Sequence, residues 1–275
     1  ISSDGSRKYV LRLFDGEHIE MVLIPSKQRT TVCISSQVGC MLRCKFCATG
    51  AMGFRRNLFP DEIYQQVFLA NQLSLQYYAT QLSNIVFMGM GEPLLNLDNV
   101  HAAIEKITHQ EGLGMSPTRI TVSSAGIPQG IRLLAKLQPH INLALSLHAA
   151  DNHTRKAIMP IAQSYSLQEI IEALKDYHQI THQRITIEYL LLNNVNDSLE
   201  AAKKLADFCR HFPVKINIIR YNPHTHSDFE PSGKAREEHF IAFLEERHIL
   251  VYVRQSKGKD ISAACGQLVN NGGKC

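Results

Sequence analysis

The sequence lacks any apolar run that could cross a lipid bilayer. Its longest apolar stretches, residues 141–147 and 187–192, fall well short of the roughly 18 residues that a spanning helix needs. Residues 1–8 are mostly polar, and no apolar segment of signal-peptide length follows them. Internal repeats and low-complexity tracts are missing as well. These absences predict a cytoplasmic protein without a membrane partner.

A disulfide framework is also missing. The seven cysteines are an odd number, and four of them fall within fifteen residues. Such spacing in a cytoplasmic chain favours metal or thiol chemistry over structural disulfides. The cysteines are Cys33, Cys40, Cys44, Cys47, Cys209, Cys265 and Cys275.

The composition is that of an ordinary globular protein. Hydrophobic residues make up 44% of the chain and charged residues 20%, which excludes disorder as the main state. At roughly 150 residues per domain, the 275 residues form one large domain or two small ones. An α/β barrel fits this length as a single unit.

Strand-like and helix-like segments alternate along most of the chain. Residues 9–14 and 19–24 are β-rich runs that flank Asp15-Gly16, a strong hairpin signal. The later strands are predicted at residues 31–35, 84–88, 119–123, 141–147, 184–190, 214–220 and 250–254. The helices are predicted from Pro60 onward and at residues 99–109, 129–137, 167–178, 197–209 and 235–247. The resulting six βα units predict a parallel sheet, either doubly wound or an incomplete barrel.

Three cysteines directly after the first of these strands carry the strongest chemical signal. Cys40, Cys44 and Cys47 form a C-x3-C-x2-C triplet. Three thiolates can bind three corners of a cubane iron–sulfur cluster, whereas an electron-transfer cluster normally takes four cysteines. The fourth iron is then open to a small molecule. The alternative is a zinc knuckle that borrows Cys33 or a histidine as its fourth ligand, although zinc ribbons use paired C-x2-C spacing.

This triplet, C-x3-C-x-F-C, resembles that of the radical S-adenosylmethionine superfamily, whose fold is a partial or full (βα) barrel. SSQVGC at residues 35–40, MGMGEPL at 88–94 and DISAACGQL at 260–268 resemble the RlmN/Cfr family of RNA adenine methyltransferases. The resemblance covers essentially the whole chain. It implies an α/β fold with a partial (βα)6 TIM-like barrel at residues 30–254, a β-hairpin extension at 1–29 and a cysteine-bearing tail at 255–275.

The resemblance implies that Cys40, Cys44 and Cys47 hold a 4Fe-4S cluster and that strand ends bind S-adenosylmethionine. Gly91 and Glu92 match positions that hold the amino group of this cofactor, and glycine lets the backbone approach a ligand closely. An ordinary strand-end turn is the alternative interpretation. The other positions that match cofactor contacts are Ser123, Ser146, Leu147, His148 and Asn222. They lie at the predicted carboxyl ends of strands, where barrel enzymes build their sites, although a lone strand-end histidine is more often structural.

Three residues outside the triplet match the family's catalytic positions. Cys265 matches the cysteine that carries the methyl group, and Cys33 matches the cysteine that resolves this intermediate as a disulfide. Glu20 matches the family's proton acceptor. From composition alone, Cys265 would be a buried inert thiol. The alternative for Glu20 is a surface carboxylate on an edge strand. Cys209 and Cys275 match no functional position and are assigned to the core and the tail.

The implied target is carbon 2 or carbon 8 of an adenine, an amidine carbon that is no nucleophile, so a radical route is reasonable. The implied partners are 23S rRNA, tRNA, a one-electron donor such as flavodoxin and a thiol reductant, and we expect a monomer. Residues 21–60 contain no acidic residue and six basic ones, which suits RNA phosphates. Alternatively, these basic residues offset the negative charge of the cysteine thiolates, or they form an ordinary solvated face. The basic residues are Lys27, Arg29, Arg43, Lys45, Arg55 and Arg56.

The two family members are not separated cleanly by the motifs. GEPLLN at residues 91–96 resembles RlmN and favours carbon 2, whereas IIRYNP at 218–223 resembles Cfr and leaves carbon 8 as an alternative. We predict carbon 2.

A different class, a non-catalytic RNA-binding protein with a structural metal clamp, explains neither Cys265 nor the Gly-Glu-Pro segment. The family usually carries a helical N-terminal RNA-binding domain, and we expect the sequence, which begins at Ile1, to start after it.

Overall fold

The computed structural model describes residues 1–27 and 29–269, so Cys275 lies outside the described residues. The chain divides into two compact units. The first comprises Ile1–Arg43, Cys47–Ser123 and the chain from Lys257 onward, and the second comprises Cys44–Phe46 and Ser124–Ser256. Within the described part, no helix is long and apolar enough to cross a membrane. The boundaries predicted after residues 29 and 254 stay predictions.

The first unit opens with the predicted hairpin. Strands β1 (Arg7–Arg12) and β2 (His18–Ser26) pair antiparallel, and β3 (Arg29–Cys33) continues this pairing on the far side of β2. Gly16 takes a φ of 86° in the turn, a left-handed conformation that glycine adopts without strain. Because β2 has a strand on each side, it is an interior strand, and its residues from Ile19 to Leu23 are buried.

The rest of the first unit continues the alternation of strands and helices. In chain order its elements are β4 (Gln37–Gly39), α1 (Ala48–Ala51), β5 (Phe54–Asn57), α2 (Pro60–Tyr78), β6 (Leu82–Phe87), α3 (Leu97–Thr108) and β7 (Ile120–Ser124), whose last residue falls in the second unit. The main sheet of this unit has the order β1-β2-β3-β6-β7, and β6 is parallel to both β3 and β7. β4 and β5 form a separate antiparallel ribbon.

The second unit is a parallel α/β layer. Its elements are α4 (Pro128–Leu137), β8 (Asn142–Ser146), α5 (Asn152–Ile158), α6 (Leu167–Thr181), β9 (Ile185–Leu191), α7 (Leu199–Cys209), β10 (Val214–Arg220), α8 (Lys234–Glu245) and β11 (Leu250–Arg254). The strand order is β8-β9-β10-β11, with every pair parallel. Every residue of β9 is buried, as expected of a central parallel strand. Cys209 is buried at the end of α7, which confirms its assignment to the core.

Local capping chemistry explains where the long helices begin. Pro60 occupies the first turn of α2, and the Glu62 side chain accepts a hydrogen bond from the Phe59 backbone N–H at 2.9 Å. At α6, Ser166 and Glu169 form a capping box. The predicted alternation of strands and helices is confirmed. The parallel pairing predicted for the later strands is also confirmed, from β3 to β6 and β7 in the first unit and from β8 to β11 in the second.

Candidate active site

Two cysteines of the triplet lie in the first unit, on either side of a loop. Cys40 follows β4, and its backbone N–H donates to the Gly53 carbonyl at 2.8 Å. Cys47 directly precedes α1. Burial raises the pKa of the Cys40 thiol to about 12, and the charge of Cys47 adds to this rise. Burial also raises the pKa of Cys47, opposed by hydrogen bonds from the Gly50 and Thr49 backbone. A bound metal would supply the positive charge that holds both groups as thiolates.

The third cysteine, Cys44, falls in the second unit. Among residues 1–27 and 29–269, no three His, Cys, Asp or Glu side chains form a group able to hold a metal ion, and no disulfide joins the cysteines. The donor chemistry of the triplet nevertheless fits an iron–sulfur cluster, because soft thiolates are the ligands of such clusters. Three thiolates also leave one iron of a cubane without a protein ligand.

The Gly-Glu-Pro segment is hydrogen-bonded to the chain that follows β3. The Gly89 N–H donates to the Ile34 carbonyl at 3.0 Å, and the Met90 N–H donates to Ser35 Oγ at 2.9 Å. In return, the Ser36 N–H donates to the Met90 carbonyl at 2.8 Å. Two motifs that are more than fifty residues apart in the sequence therefore form one hydrogen-bonded layer after the ends of β3 and β6.

Gly91 and Glu92 occupy a confined position in this layer. Gly91 has a φ of 99°, and a Cβ there would lie 2.5 Å from Gln37, so only glycine fits. The Glu92 N–H donates to Gln37 Oε1 at 2.9 Å, and Glu92 Oε1 accepts from the Leu94 N–H at 3.1 Å. The buried Glu92 carboxylate also contributes to the raised pKa of Cys40. The structure therefore brings the predicted amine-binding carboxylate near a predicted cluster ligand.

The C-terminal tail lies against the helix that follows Cys47. Thr49 Oγ1 donates to the Leu268 carbonyl at 2.7 Å. Cys265 is exposed, and its charge contributes to the raised pKa of Cys47. The interpretation of Cys265 as a buried inert thiol is therefore wrong, because the tail presents this side chain at the surface beside α1.

Glu20 is covered by the same tail. Its side chain, on β2, is only 2% exposed, and Oε2 accepts from the Val269 N–H at 3.1 Å. Lys8 Nζ lies 3.2 Å from Glu20 Oε1 and donates to the Ser262 carbonyl at 3.3 Å. Burial raises the pKa of Glu20, and the charge of Lys8 opposes the rise. The interpretation of Glu20 as a surface carboxylate is wrong, because β2 is an interior strand and the tail covers this side chain.

Cys33 is the last residue of β3 and is buried. It stands opposite Val22 in the register of β2 and β3, two residues along β2 from Glu20. Ser35, just beyond it, donates its hydroxyl to the Glu20 carbonyl at 2.7 Å. The predicted resolving cysteine and the predicted proton acceptor are thus held on neighbouring strands of one sheet.

We expect Lys8→Met to destabilise the protein in a pH-dependent way. Without Lys8, the buried Glu20 carboxylate loses an ionic partner, which costs about 1–3 kcal/mol of unfolding free energy. Glu20 has a folded-state pKa above its ordinary value of 4.5, and the substitution raises that pKa further. The loss is therefore full above the raised pKa and shrinks as the pH falls and Glu20 binds a proton. Urea unfolding at a series of pH values measures it.

The matched control is the double variant Lys8→Met/Glu20→Gln. Its stability should lose this pH dependence, since the neutral amide has no proton to bind. An equal loss for Lys8→Met at every pH would show that Lys8 acts through packing alone.

In the second unit, His148 is held by hydrogen bonds at the end of β8, two residues after Ser146. Its Nδ1 accepts from the Leu190 N–H at 3.1 Å, and its carbonyl accepts from Asn196 Nδ2 at 2.6 Å. Burial lowers its pKa to about 3, so the ring is neutral at physiological pH. The ring packs edge-on against Phe46, with centroids 4.8 Å apart. His148 is therefore buried and partnered, and it touches the segment that carries Cys44.

The remaining predicted cofactor positions also lie at carboxyl ends of strands. Ser123 is the penultimate residue of β7, and Ser146 is the last residue of β8. Asn222 follows β10, is buried, and donates to Ser256 Oγ at 3.0 Å. Leu147, after β8, is wholly buried, and its backbone N–H donates to the Glu188 carbonyl at 3.1 Å.

Sequence reasoning missed several residues that support these positions. Gln37 lies inside the recognised SSQVGC motif, so the motif could have indicated that Gln37 accepts a hydrogen bond from the Glu92 backbone. Lys8 and Asn196 belong to no motif, and only the folded chain shows that they bind Glu20 and His148. Arg155 belongs to no motif either.

Comparison with known proteins places this geometry in a family. Residues 34–209 match the model of the radical SAM superfamily. A protein of Christiangramia forsetii, named probable dual-specificity RNA methyltransferase RlmN, is 49% identical over 98% of this chain and 76% of its own. A Desulfotalea psychrophila protein, named dual-specificity RNA methyltransferase RlmN, is 45% identical over the same shares, 98% and 76%. The chain belongs to the RlmN family of radical SAM RNA methyltransferases.

A solved structure supports the assignment to the radical SAM methyltransferases. The crystal structure of a radical SAM methyltransferase from Sphaerobacter thermophilus superposes with a TM-score of 0.95 and 40% identity, covering 98% of this chain and 79% of that one. Streptococcus suis SuiB bound to S-adenosylmethionine, at 14% identity and a TM-score of 0.61, covering 87% of this chain and 56% of its own, shares the fold alone. The predicted α/β radical SAM fold is confirmed. As a radical SAM protein of the RlmN type, the chain uses a 4Fe-4S cluster and S-adenosylmethionine and acts on RNA.

Proposed function

We propose that this RlmN-type chain methylates carbon 2 of an adenosine in 23S rRNA, at the peptidyl transferase centre, and in the tRNA anticodon loop. The dual-specificity names of the relatives support this choice of substrates. The observation that carries the proposal is the position of the tail, which presents Cys265 beside the helix that follows Cys47 and covers the buried carboxylate of Glu20.

Cys40, Cys44 and Cys47 hold the cluster in this proposal. Gly91 and Glu92 bind the amino group of S-adenosylmethionine, since a buried carboxylate near Cys40 suits a bound ammonium. The remaining cofactor contacts are assigned to Ser123, Ser146, Leu147, His148 and Asn222. When bound, the cluster and S-adenosylmethionine supply a 5'-deoxyadenosyl radical, which is the difficult part of the chemistry.

Cys265 acts as the methyl carrier. Its thiolate attacks the methyl carbon of S-adenosylmethionine, so that a sulfur–carbon bond forms on the protein and the sulfonium carbon–sulfur bond breaks. The methyl group would then lose one hydrogen atom, which leaves in 5'-deoxyadenosine, and the resulting carbon radical adds to the adenine ring. The exposure of Cys265 suits this role, because the base must leave its stack to reach the thioether.

Glu20 and Cys33 complete the reaction. Glu20 takes the proton from the ring carbon, and its raised pKa suits a group that binds a proton during turnover. Cys33 then attacks the sulfur of Cys265, which breaks the carbon–sulfur link to the base and leaves a disulfide between the two cysteines. The released carbon takes a proton, and the unpaired electron would pass to the oxidised cluster. A thiol reductant restores both thiols after each cycle.

The other partners follow from this chemistry. Reduction of the cluster needs a one-electron donor such as flavodoxin, and the thiol reductant and both RNA substrates are found in the cytoplasm, where we place the protein. We propose that it works as a monomer. The basic residues of the segment 21–60 bind RNA phosphates in this proposal.

The experiment is anaerobic incubation of the reconstituted protein with reductant, labelled S-adenosylmethionine and ribosomal RNA. Mass spectrometry of the nucleosides and of the Cys265 peptide reads both halves of the reaction. We expect 2-methyladenosine and a methylated Cys265. The 8-methyl isomer, which the IIRYNP segment keeps open, would assign the Cfr reaction instead. If neither product forms on a protein with a proven cluster, a non-catalytic RNA-binding role becomes the better explanation.

A further inference from the structure

Among the residues that the structure describes, no carboxylate pairs with a buried arginine of the second unit. Arg155, on α5, has 0% of its surface exposed. Its Nε donates to the Leu147 carbonyl at 3.3 Å and its Nη2 to the Ala125 carbonyl at 2.5 Å. Its Nη1 is buried without a hydrogen-bond partner anywhere in residues 1–27 and 29–269. Two neutral carbonyls do not balance a buried positive charge, which is strongly unfavourable without a counter-charge.

The helix that carries Arg155 lies against the segment that carries Cys44. The Lys45 N–H donates to the carbonyl of Ile158, the last residue of α5, at 3.0 Å. In the same segment, the Phe46 ring packs on His148, and the carbonyl of its neighbour Leu147 accepts from Arg155. Cys44 and Arg155 also interact electrostatically. Within the described part of the chain, Cys44 is therefore the anion-forming group whose charge acts on the unbalanced guanidinium.

We propose that Arg155 is a positioning residue that serves as the counter-charge of the iron–sulfur cluster at its Cys44 corner and raises the cluster's reduction potential. This inference rests on the proposed assignment of Cys44 as a cluster ligand. A cubane core of charge 2+ with three thiolates carries a net charge of −1, so it supplies the anion that the buried guanidinium lacks. The unpartnered Nη1 can also donate a hydrogen bond to the cluster. Both hydrogen bonds and net charge affect the reduction potential of such clusters.

The expected effect follows from the charges before and after reduction. One electron from the reductant takes the core from 2+ to 1+, and the ligated cluster from −1 to −2. Arg155 gains and loses no proton in this step, because a guanidinium stays protonated. A fixed positive charge stabilises the more negative state, so its removal makes the cluster harder to reduce.

The test compares the reconstituted full chain with Arg155→Gln and Arg155→Lys. Dithionite titration with redox mediators, followed by electron paramagnetic resonance, measures the midpoint potential of each cluster. For Arg155→Gln we expect the ratio of reduced to oxidised cluster at a fixed potential to fall at least tenfold, which is about 59 mV for one electron. Arg155→Lys keeps the charge, so its midpoint potential should stay close to that of the parent. Arg132→Gln removes one charge from a half-exposed pair with Asp176 and should leave the midpoint potential unchanged.

Each outcome decides between the charge and a purely structural role. An unchanged potential in Arg155→Gln overturns the proposal, and so does an equal fall in both variants. If Arg155→Gln folds by circular dichroism but binds no iron while Arg155→Lys does, the counter-charge is supported; if neither binds iron, it is contradicted. If Arg155→Gln does not fold, Arg155→Lys alone decides, by keeping or losing the parent potential. A parent chain without a cluster would contradict the proposed function instead.

Discussion

Cys265→Ala is expected to abolish RNA methylation, by at least about 10³-fold, as removal of a catalytic nucleophile does in other enzymes. The variant has no thiolate to take the methyl group, and no other cysteine is presented on the tail in the described residues. The cluster ligands are untouched, so iron content and reductive cleavage of S-adenosylmethionine should remain. The measurement is methyladenosine by mass spectrometry, beside 5'-deoxyadenosine released under dithionite.

Cys209→Ala is the matched control for Cys265→Ala. Cys209 is buried on α7 in the second unit, and it has no role in the proposed reaction. Its loss should lower stability slightly, because a small cavity forms in the core, and leave methylation intact. Methylation that survives in Cys265→Ala would exclude the methyl-cysteine route altogether.

The regular elements of the fold could be predicted because each carries a local signal. The Asp15-Gly16 turn predicts the hairpin, and Pro60 with its first-turn acids predicts the start of α2. The ribbon of β4 and β5 and the helices α1 and α5 were missed. These elements are three to seven residues long, too short to show the periodicity from which a strand or an amphipathic helix is recognised.

The positions of the motif residues at strand ends could also be predicted, but their surroundings could not. Glu20 binds Val269 across 249 residues of sequence, so its burial depends on how the tail packs over the hairpin. Nothing local to β2 indicates this. In the same way, the buried guanidinium of Arg155 follows from the packing of α5, and a helix of seven residues gives no pattern that distinguishes a buried arginine from a surface one.

Cys33→Ala is expected to stop turnover after the first cycle and to trap RNA on the protein. In the proposed reaction Cys33 breaks the link between Cys265 and the base, so its loss leaves that link intact. Cys33 is buried at the end of β3, and replacing it by alanine should cost only about 1 kcal/mol in a core that stays packed. The measurement is a nuclease-resistant adenosine adduct on the Cys265 peptide, at up to one adduct per chain.

The double variant Cys33→Ala/Cys265→Ala separates the adduct from nonspecific crosslinking. It lacks the sulfur that carries the base, so it should form no adduct although its cluster is unchanged. Serine in place of Cys33 should behave as alanine does, because a hydroxyl forms no disulfide. Multiple turnovers by Cys33→Ala, with free methylated RNA and no adduct, would remove Cys33 from the resolving role and require another thiol to release the product.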